Sequence, residues 1–335
     1  MELLAMDCPY CFSSHLRVHC TYQTQSHGRR TLYVCQDCFA SFSETKSTLL
    51  EDLKTPLSVV WRVLNARTEG LGLNATARTF GVSKNTVLDW ERRCADVQPV
   101  LFLYALVHQF LQVVIEGDEA YTKVEKNVPP QQSAGWTLLL MDRASRFIWM
   151  LECGKKERHL FSQAIQTLEQ IIHNSADLTL LTDGERRYGN LLFEICSELI
   201  RNGKPGRPKK TLKKGVKVRL KNKGSQAHHK GRKRPKYQAP WNEHPQTTQP
   251  VEEKDIHANH AEAFFSALRR KCATFRRRAN TYAKSIQGLQ RLLDVYWVIH
   301  NFVRIHFTTR EVPAVTLGVM DRGLSVPELF HLRRA

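Results

Sequence analysis

The spacing of apolar positions changes period several times along this chain. Residues 15–21 and 29–34 alternate as two short strands, each next to a Cys-x-x-Cys pair. From Pro56 the period becomes helical: Leu57, Val60, Trp61 and Leu64 share one face of a helix over 56–68, with proline in the first turn, where its missing N–H costs nothing. The run ATARTFGVSKNTVLDWERR then predicts two short helices over 75–80 and 84–94. Asn74 and Ser83 are their caps, Gly81 is the turn residue, small Ala77 sits at the crossing, and Val82, Val87 and Trp90 form the core. This arrangement matches a helix-turn-helix that turns Lys84, Asn85 and Thr86 towards a major groove; an ordinary helical hairpin has the same pattern.

Residues 97–115 carry no charge, yet Gln98, Pro99, His108, Gln109 and Gln112 interrupt the apolar run. Several polar side chains would sit in hydrocarbon, so the segment is read as a buried helix running into a strand and not as a membrane span. Strands follow over 112–118, 136–141 and 147–152, with a turn over 142–146. A helix over 156–173, a strand over 178–183 and a helix over 188–201 come next. Residues 216–220 alternate and can add a fifth strand. That element order predicts an α/β fold, a mixed sheet with flanking helices. A helix from His257 carries Phe264, Phe265, Leu268 and Cys272, and residues 282–307 form a core helix.

The chain has 335 residues, 42% hydrophobic and 24% charged, which excludes a wholly disordered protein. Its net charge of +18 is local: fifteen Lys and Arg and no acid stand between Gly203 and Lys236, leaving +3 elsewhere. Such a block gains by releasing counterions from a polyanion, nucleic acid above all, or it is a solvated tail. The start, MELLAMDCPY, lacks a basic region followed by an apolar core, so export is not expected. The expected location is cytoplasmic and nucleoid-associated, without a membrane partner. Nine cysteines in that setting point to thiols and metal ligation.

Cys8 and Cys11 pair with Cys35 and Cys38 in the spacing of a zinc ribbon. Each Cys-x-x-Cys turn aims two thiolates at one point, and two turns complete a closed S4 shell for a structural Zn²⁺. Two disulfides would use the same residues, and His15, His19 and Cys20 are substitute ligands. Asp118 and Asp183 each end an apolar strand, where a divalent cation offsets their charge or where they merely turn the chain. Two such carboxylates and a third can hold two Mg²⁺ for phosphoryl transfer. Glu262 can supply the third, with Arg269 two turns along and Asn259 on nearly the same side of its helix. Glu252, Glu253 and Asp255 are rivals that lack this helical phase.

The Cys-x-x-Cys pairs, the helix-turn-helix, IEGDEAY, LLTDGERRYGN and NHAEAFFSALRR, with the FRRRANTYAKSIQGLQRLLDVYWVIHNFV stretch after them, together resemble a bacterial insertion-sequence transposase of the DDE type. The resemblance covers nearly the whole chain and is nearest to the insertion-sequence-one family or a neighbouring zinc-ribbon family. It implies a ribonuclease H-like catalytic domain in which Asp118, Asp183 and Glu262 match the acidic triad and Arg269 the basic residue seven after the glutamate. The expected order is a zinc ribbon (1–48), a helix-turn-helix domain (54–97), the catalytic domain (98–320) with a basic insertion (203–255), and a tail (321–335).

The activity implied is Mg²⁺- or Mn²⁺-dependent cleavage and strand transfer on double-stranded DNA, at element ends and target, by a homo-oligomer. Arg207, Lys209 and Lys210, in GRPKK, also resemble a minor-groove hook. The alternative is an inert DNA-binding regulator derived from such an enzyme.

Overall fold

Two Cys-x-x-Cys turns lie at one end of a small antiparallel sheet in which β1 (Leu16–Thr24) pairs with β2 (Gly28–Cys35) and β2 with β3 (Ser41–Ser43). Among the described residues, the buried apolar side chains there are Cys8, Cys35 and Phe42, so apolar burial contributes little to holding this unit together. In this computed structural model the described residues are 6–26, 28–109, 113–126, 128–174, 178–182, 186–195, 197–201, 206, 208–212, 216–220, 241–242, 257–276 and 279–334.

Three helices follow: α1 (Leu57–Arg67), α2 (Leu73–Phe80) and α3 (Lys84–Ala95). Gly81 ends α2 at φ +65°, a conformation that glycine adopts without strain. Ser83 Oγ then accepts the Thr86 amide (3.0 Å) and starts α3. Helix α2 begins earlier than the expected Ala75. The Thr76 amide donates to the Gly72 carbonyl (2.9 Å), the first bond of the helix, so Gly72, and not Asn74, is the cap.

After α4 (Gln98–His108) comes the large sheet, built from β4 (Val113–Tyr121), β5 (Trp136–Asp142), β6 (Ile148–Gly154), β7 (Leu178–Thr182), β10 (Val216–Leu220) and β11 (Trp241–Asn242). Its order is β11-β10-β7-β4-β5-β6, with β4, β5 and β6 an antiparallel meander and β7 and β10 parallel to β4. Side chains alternate across the strands, so Glu116 and Asp118 share a face with Leu139 and Met141. Helices α7 (Asn259–Lys271) and α8 (Ile286–Phe302) cover that face. Helices α5 (Arg158–Asn174) and α6 (Arg186–Ile195) cover the other. There a Cβ at Gly117 would come within 3.3 Å of the Tyr188 ring, so glycine lets α6 close on the sheet. The architecture is a mixed α/β sheet with flanking helices, and among the described residues no helix is long and apolar enough to cross a membrane.

Three expectations are corrected. Asp118 is not the last residue of its strand: β4 runs on to Tyr121 because pairing with β5 continues to Tyr121↔Trp136. Glu119, on the opposite face, is accommodated by an ion pair with Lys156, whose ammonium also lies 4.4 Å from the Trp136 ring centre. The helix over 188–201 stops at Ile195; Ser197–Ile200 forms β8 and pairs antiparallel with β9 (Lys209–Leu212), a tertiary ladder that overrides local helix propensity. Lys209 and Lys210 therefore lie in a strand. Residues 321–334, within the expected tail, are no free tail either. After α9 (Pro313–Thr316) they carry α10 (Val326–His331), started by a Ser325–Glu328 capping box, and Arg334 donates its amide to Ser47 (2.8 Å) and its guanidinium to Glu51 (2.9 Å).

The outer edge of β6 is closed by side-chain amides. Asn301 accepts the Ile148 amide (2.9 Å) and donates to its carbonyl (2.8 Å), while Gln290 accepts from Cys153 (2.8 Å) and donates to Leu151 (3.1 Å). Asn301→Leu, close in volume, is expected to lower stability by about 1–3 kcal/mol through the unpaired Ile148 groups. Urea unfolding checks this, and an unchanged midpoint would mean that the edge is satisfied without Asn301.

Candidate metal centre and acidic site

The four ribbon cysteines converge. Cys8 Sγ lies 3.5 Å from Cys38 Sγ and Cys11 Sγ 3.5 Å from Cys35 Sγ, and all four sulfurs fall within 4.8 Å of one another. A disulfide needs about 2.05 Å. A tetrahedral Zn–S shell of about 2.3 Å bonds needs sulfurs about 3.8 Å apart. The set therefore fits a zinc ion and not two disulfides.

The two turns match in detail: Phe12 donates its amide to the Cys8 carbonyl (2.9 Å), and Phe39 to that of Cys35 (3.1 Å). Burial pushes the Cys8 thiol up, but amides of Tyr10 and Cys11 and the neighbouring thiols outweigh it and bring the group to about 7. The substitutes His15, His19 and Cys20 are exposed and outside the cluster; His15 pairs with Asp37 instead (3.4 Å). Chelation or Cys8→Ser is expected to release the metal and unfold the ribbon, since little else holds it. Metal analysis with circular dichroism reads this, and a ribbon that stays folded without metal would refute it.

On the large sheet, the residue that organises the acidic face is Glu116. Its side chain is fully buried. One oxygen accepts from Arg143 Nε (2.7 Å) and lies 2.7 Å from His260 Nδ1; the other accepts the backbone amides of His260 and Ala261 (3.0 Å each). Those amides belong to the first turn of α7, whose N–H groups have no partner within the helix. A buried anion is thus capped by a helix N-terminus.

Burial pushes the Glu116 carboxyl up, but the bonds from His260, Arg143 and Ala261 outweigh it and hold the group below the ordinary carboxylate range. Glu116, His257 and His260 lie close enough to hold a metal ion. Arg143, bonded to Glu116 and within 3.0 Å of His257 Nδ1, already supplies the positive charge there.

Asp118 stands two residues further along the same face, 8% exposed, with its Oδ1 accepting the Glu119 amide (2.8 Å). Glu262 follows the docked amides directly, in the first turn of α7, and Arg269 lies in the last turn of the same helix. The structure thus brings Asp118 and the turn bearing Glu262 to one face. Asp183 lies outside the described residues; β7, which leads to it, ends at Thr182, the register partner of Gly117. The rivals Glu252, Glu253 and Asp255 lie outside them too, as does Arg207.

Lys84 and Asn85 are exposed at the start of α3, Thr86 is half-buried, and Lys209 and Lys210 are exposed on β9. Sequence reasoning missed Glu116, although its i,i+2 spacing from Asp118 in IEGDE was the available signal. No known family model matches the chain, and no curated protein matches it as a relative.

Glu116→Gln is expected to cost about 3–5 kcal/mol at pH 7, by leaving Arg143 without its counterion. Because the folded-state pKa is depressed, this stabilisation is complete above the ordinary carboxylate value of about 4.3 and is lost as pH falls below it. Denaturant unfolding of both proteins at pH 7 and pH 3 should show the gap closing in acid; a gap that persists would contradict a charged Glu116.

Proposed function

We propose that this chain is a transposase of the DDE type, which binds the ends of its own mobile element and catalyses metal-dependent strand cleavage and transfer on DNA. The observation that carries this reading is Asp118 on the face where α7 is anchored, with Glu262 in the anchored turn and β7 leading into Asp183 alongside. The strand order supports it: across β6-β5-β4-β7-β10 only β5 runs against the rest, as in a ribonuclease H-like sheet.

The donor set of Asp118, Asp183 and Glu262 is all oxygen, which suits Mg²⁺ or Mn²⁺. Bound there, two such ions supply an activated hydroxyl and a stabilised leaving oxygen on phosphorus. The residues of the chain do the positioning. Asp118 is oriented by its strand and the Glu119 amide; Glu262 is fixed by the docking of α7; Arg269 meets a DNA phosphate two turns along. Water attacks phosphorus at the element end and frees a 3′-hydroxyl, which then attacks target phosphorus in line and expels the other 3′ oxygen, without a covalent protein intermediate. Lys84 and Asn85 read the terminal repeats, the Zn²⁺-bearing ribbon supports them, and Arg207, Lys209 and Lys210 hold backbone, in a homo-oligomer on the DNA.

Asp118→Asn keeps the side-chain shape and is expected to abolish joining of oligonucleotide ends to a target plasmid in Mg²⁺ or Mn²⁺, with end binding intact. Undiminished joining by that variant removes Asp118 from catalysis. Binding without any joining by the unaltered protein favours the inert regulator instead.

A further inference from the structure

A cavity of about 540 Å³ opens on a flank of α7 away from Glu262. Ala263, Ala267, Arg270 and Lys271 face it, and at 100° per residue they stand about 80–180° around the helix from Glu262. Arg146, in the turn before β6, and Arg304 and Phe307, after α8, also line it, and His260 separates it from Glu116. Among the described residues, no acidic side chain lines it. Glu69 stands behind, paired with Arg304 (3.0 Å) and Lys271 (3.5 Å), and offsets only part of the charge.

Two of these guanidinium groups are incompletely satisfied: Arg146 Nη1 and Arg304 Nη1 are out of solvent and have no hydrogen-bond partner. Buried cationic donors are costly unless an acceptor meets them. Arg146 is nevertheless fixed in place. It adopts φ +65°, and its carbonyl accepts from His300 Nε2 (3.0 Å). Burial pushes His300 down to about 3, so it serves there as a neutral donor. Phe307 is 79% exposed at the mouth, with Arg310 4.5 Å from its ring centre.

We infer that this cavity seats one phosphate of a nucleic-acid strand, held by Arg146, Arg270 and Arg304, with the adjoining base stacked on Phe307. The inference rests on the reading of the chain as an enzyme acting on DNA, and adds a strand contact outside the acidic site. Planar guanidinium forks match phosphate geometry. An exposed aromatic ring beside them offers what a base needs and a lone inorganic anion does not.

The test is fluorescence anisotropy with a labelled single-stranded oligonucleotide of about twenty residues, enough to cross such a site. Arg146→Asn removes the guanidinium with a residue that tolerates the left-handed backbone. Arg146→Asn and Phe307→Ser are each expected to weaken binding about tenfold, with the salt slope of Arg146→Asn lowered by about 0.7, at an unchanged unfolding temperature. Wild-type affinity in both variants overturns the inference. So does a loss of inorganic phosphate binding by Arg146→Asn with oligonucleotide binding kept, which would make the cavity a small-anion site. Strand binding that responds to these substitutions in a protein that never joins ends defeats the catalytic reading alone; normal joining with indifferent variants defeats the cavity alone.

Discussion

A carboxylate buried in the middle of a sheet must be met by donors on every side, and Glu116 meets this demand by drawing three segments together. Strand β4 carries it, the turn after β5 brings Arg143, and the first turn of α7 brings two amides and the His260 ring from 144 residues away. Each partner has its own reason to be there. The α7 amides have no intrahelical acceptor, and Arg143 also donates to the His257 carbonyl (2.7 Å), which holds the approach to the helix. The geometry of the acidic face follows from this latch: once the His260 and Ala261 amides are fixed on Glu116, Glu262 has little freedom to leave the face that Asp118 occupies.

A second buried charge set joins the helical unit to the sheet. Glu91 of α3 receives Arg67 Nε (2.6 Å) and Arg291 Nε of α8 (3.3 Å), and Arg304 donates to Asn65 and Thr68 (2.9 Å each). A buried ion pair adds little net stability compared with an apolar contact of the same shape, but breaking it is costly, so it favours one relative arrangement. The three helices are therefore not an independent module, because α3 packs on α8 as well as on its own neighbours. The chain end closes a similar loop, with Arg333 bridged to Thr48 and Arg334 bonded to Ser47 and Glu51.

What the sequence made legible is what local physics dictates. Two short Cys-x-x-Cys turns each aim a pair of thiolates at one point, which is what a closed S4 shell needs. Gly81 and Ser83 mark a turn and a cap through backbone preference alone, and the strand and helix periods of the large sheet follow from one-sided burial. Tertiary pairing was harder to see. The extension of β4 past Asp118 depends on Trp136 being opposite Tyr121. The β8–β9 hairpin depends on a partner nine or more residues on. Glu116 was overlooked because an acid two residues before a candidate catalytic aspartate looks like part of the same acidic cluster, when it is in fact what anchors α7.

Helix α7 also sets a distance. Glu262 and Arg270 are eight residues apart, about 12 Å along the axis at 1.5 Å per residue. At a rise of about 3.4 Å per nucleotide, that of a strand with stacked bases, a phosphate in the cavity would lie three to four nucleotides from one at the acidic face if the strand followed the helix. The helix is rigid over that length, and both of its ends are tied: the first turn to Glu116, the last to the loop before α2, where Lys271 meets Glu69 and a Cβ at Gly70 would come within 2.6 Å of the Arg270 carbonyl. A displacement of α7 would therefore have to move the acid and the guanidinium together, so strand position and acid position cannot vary independently.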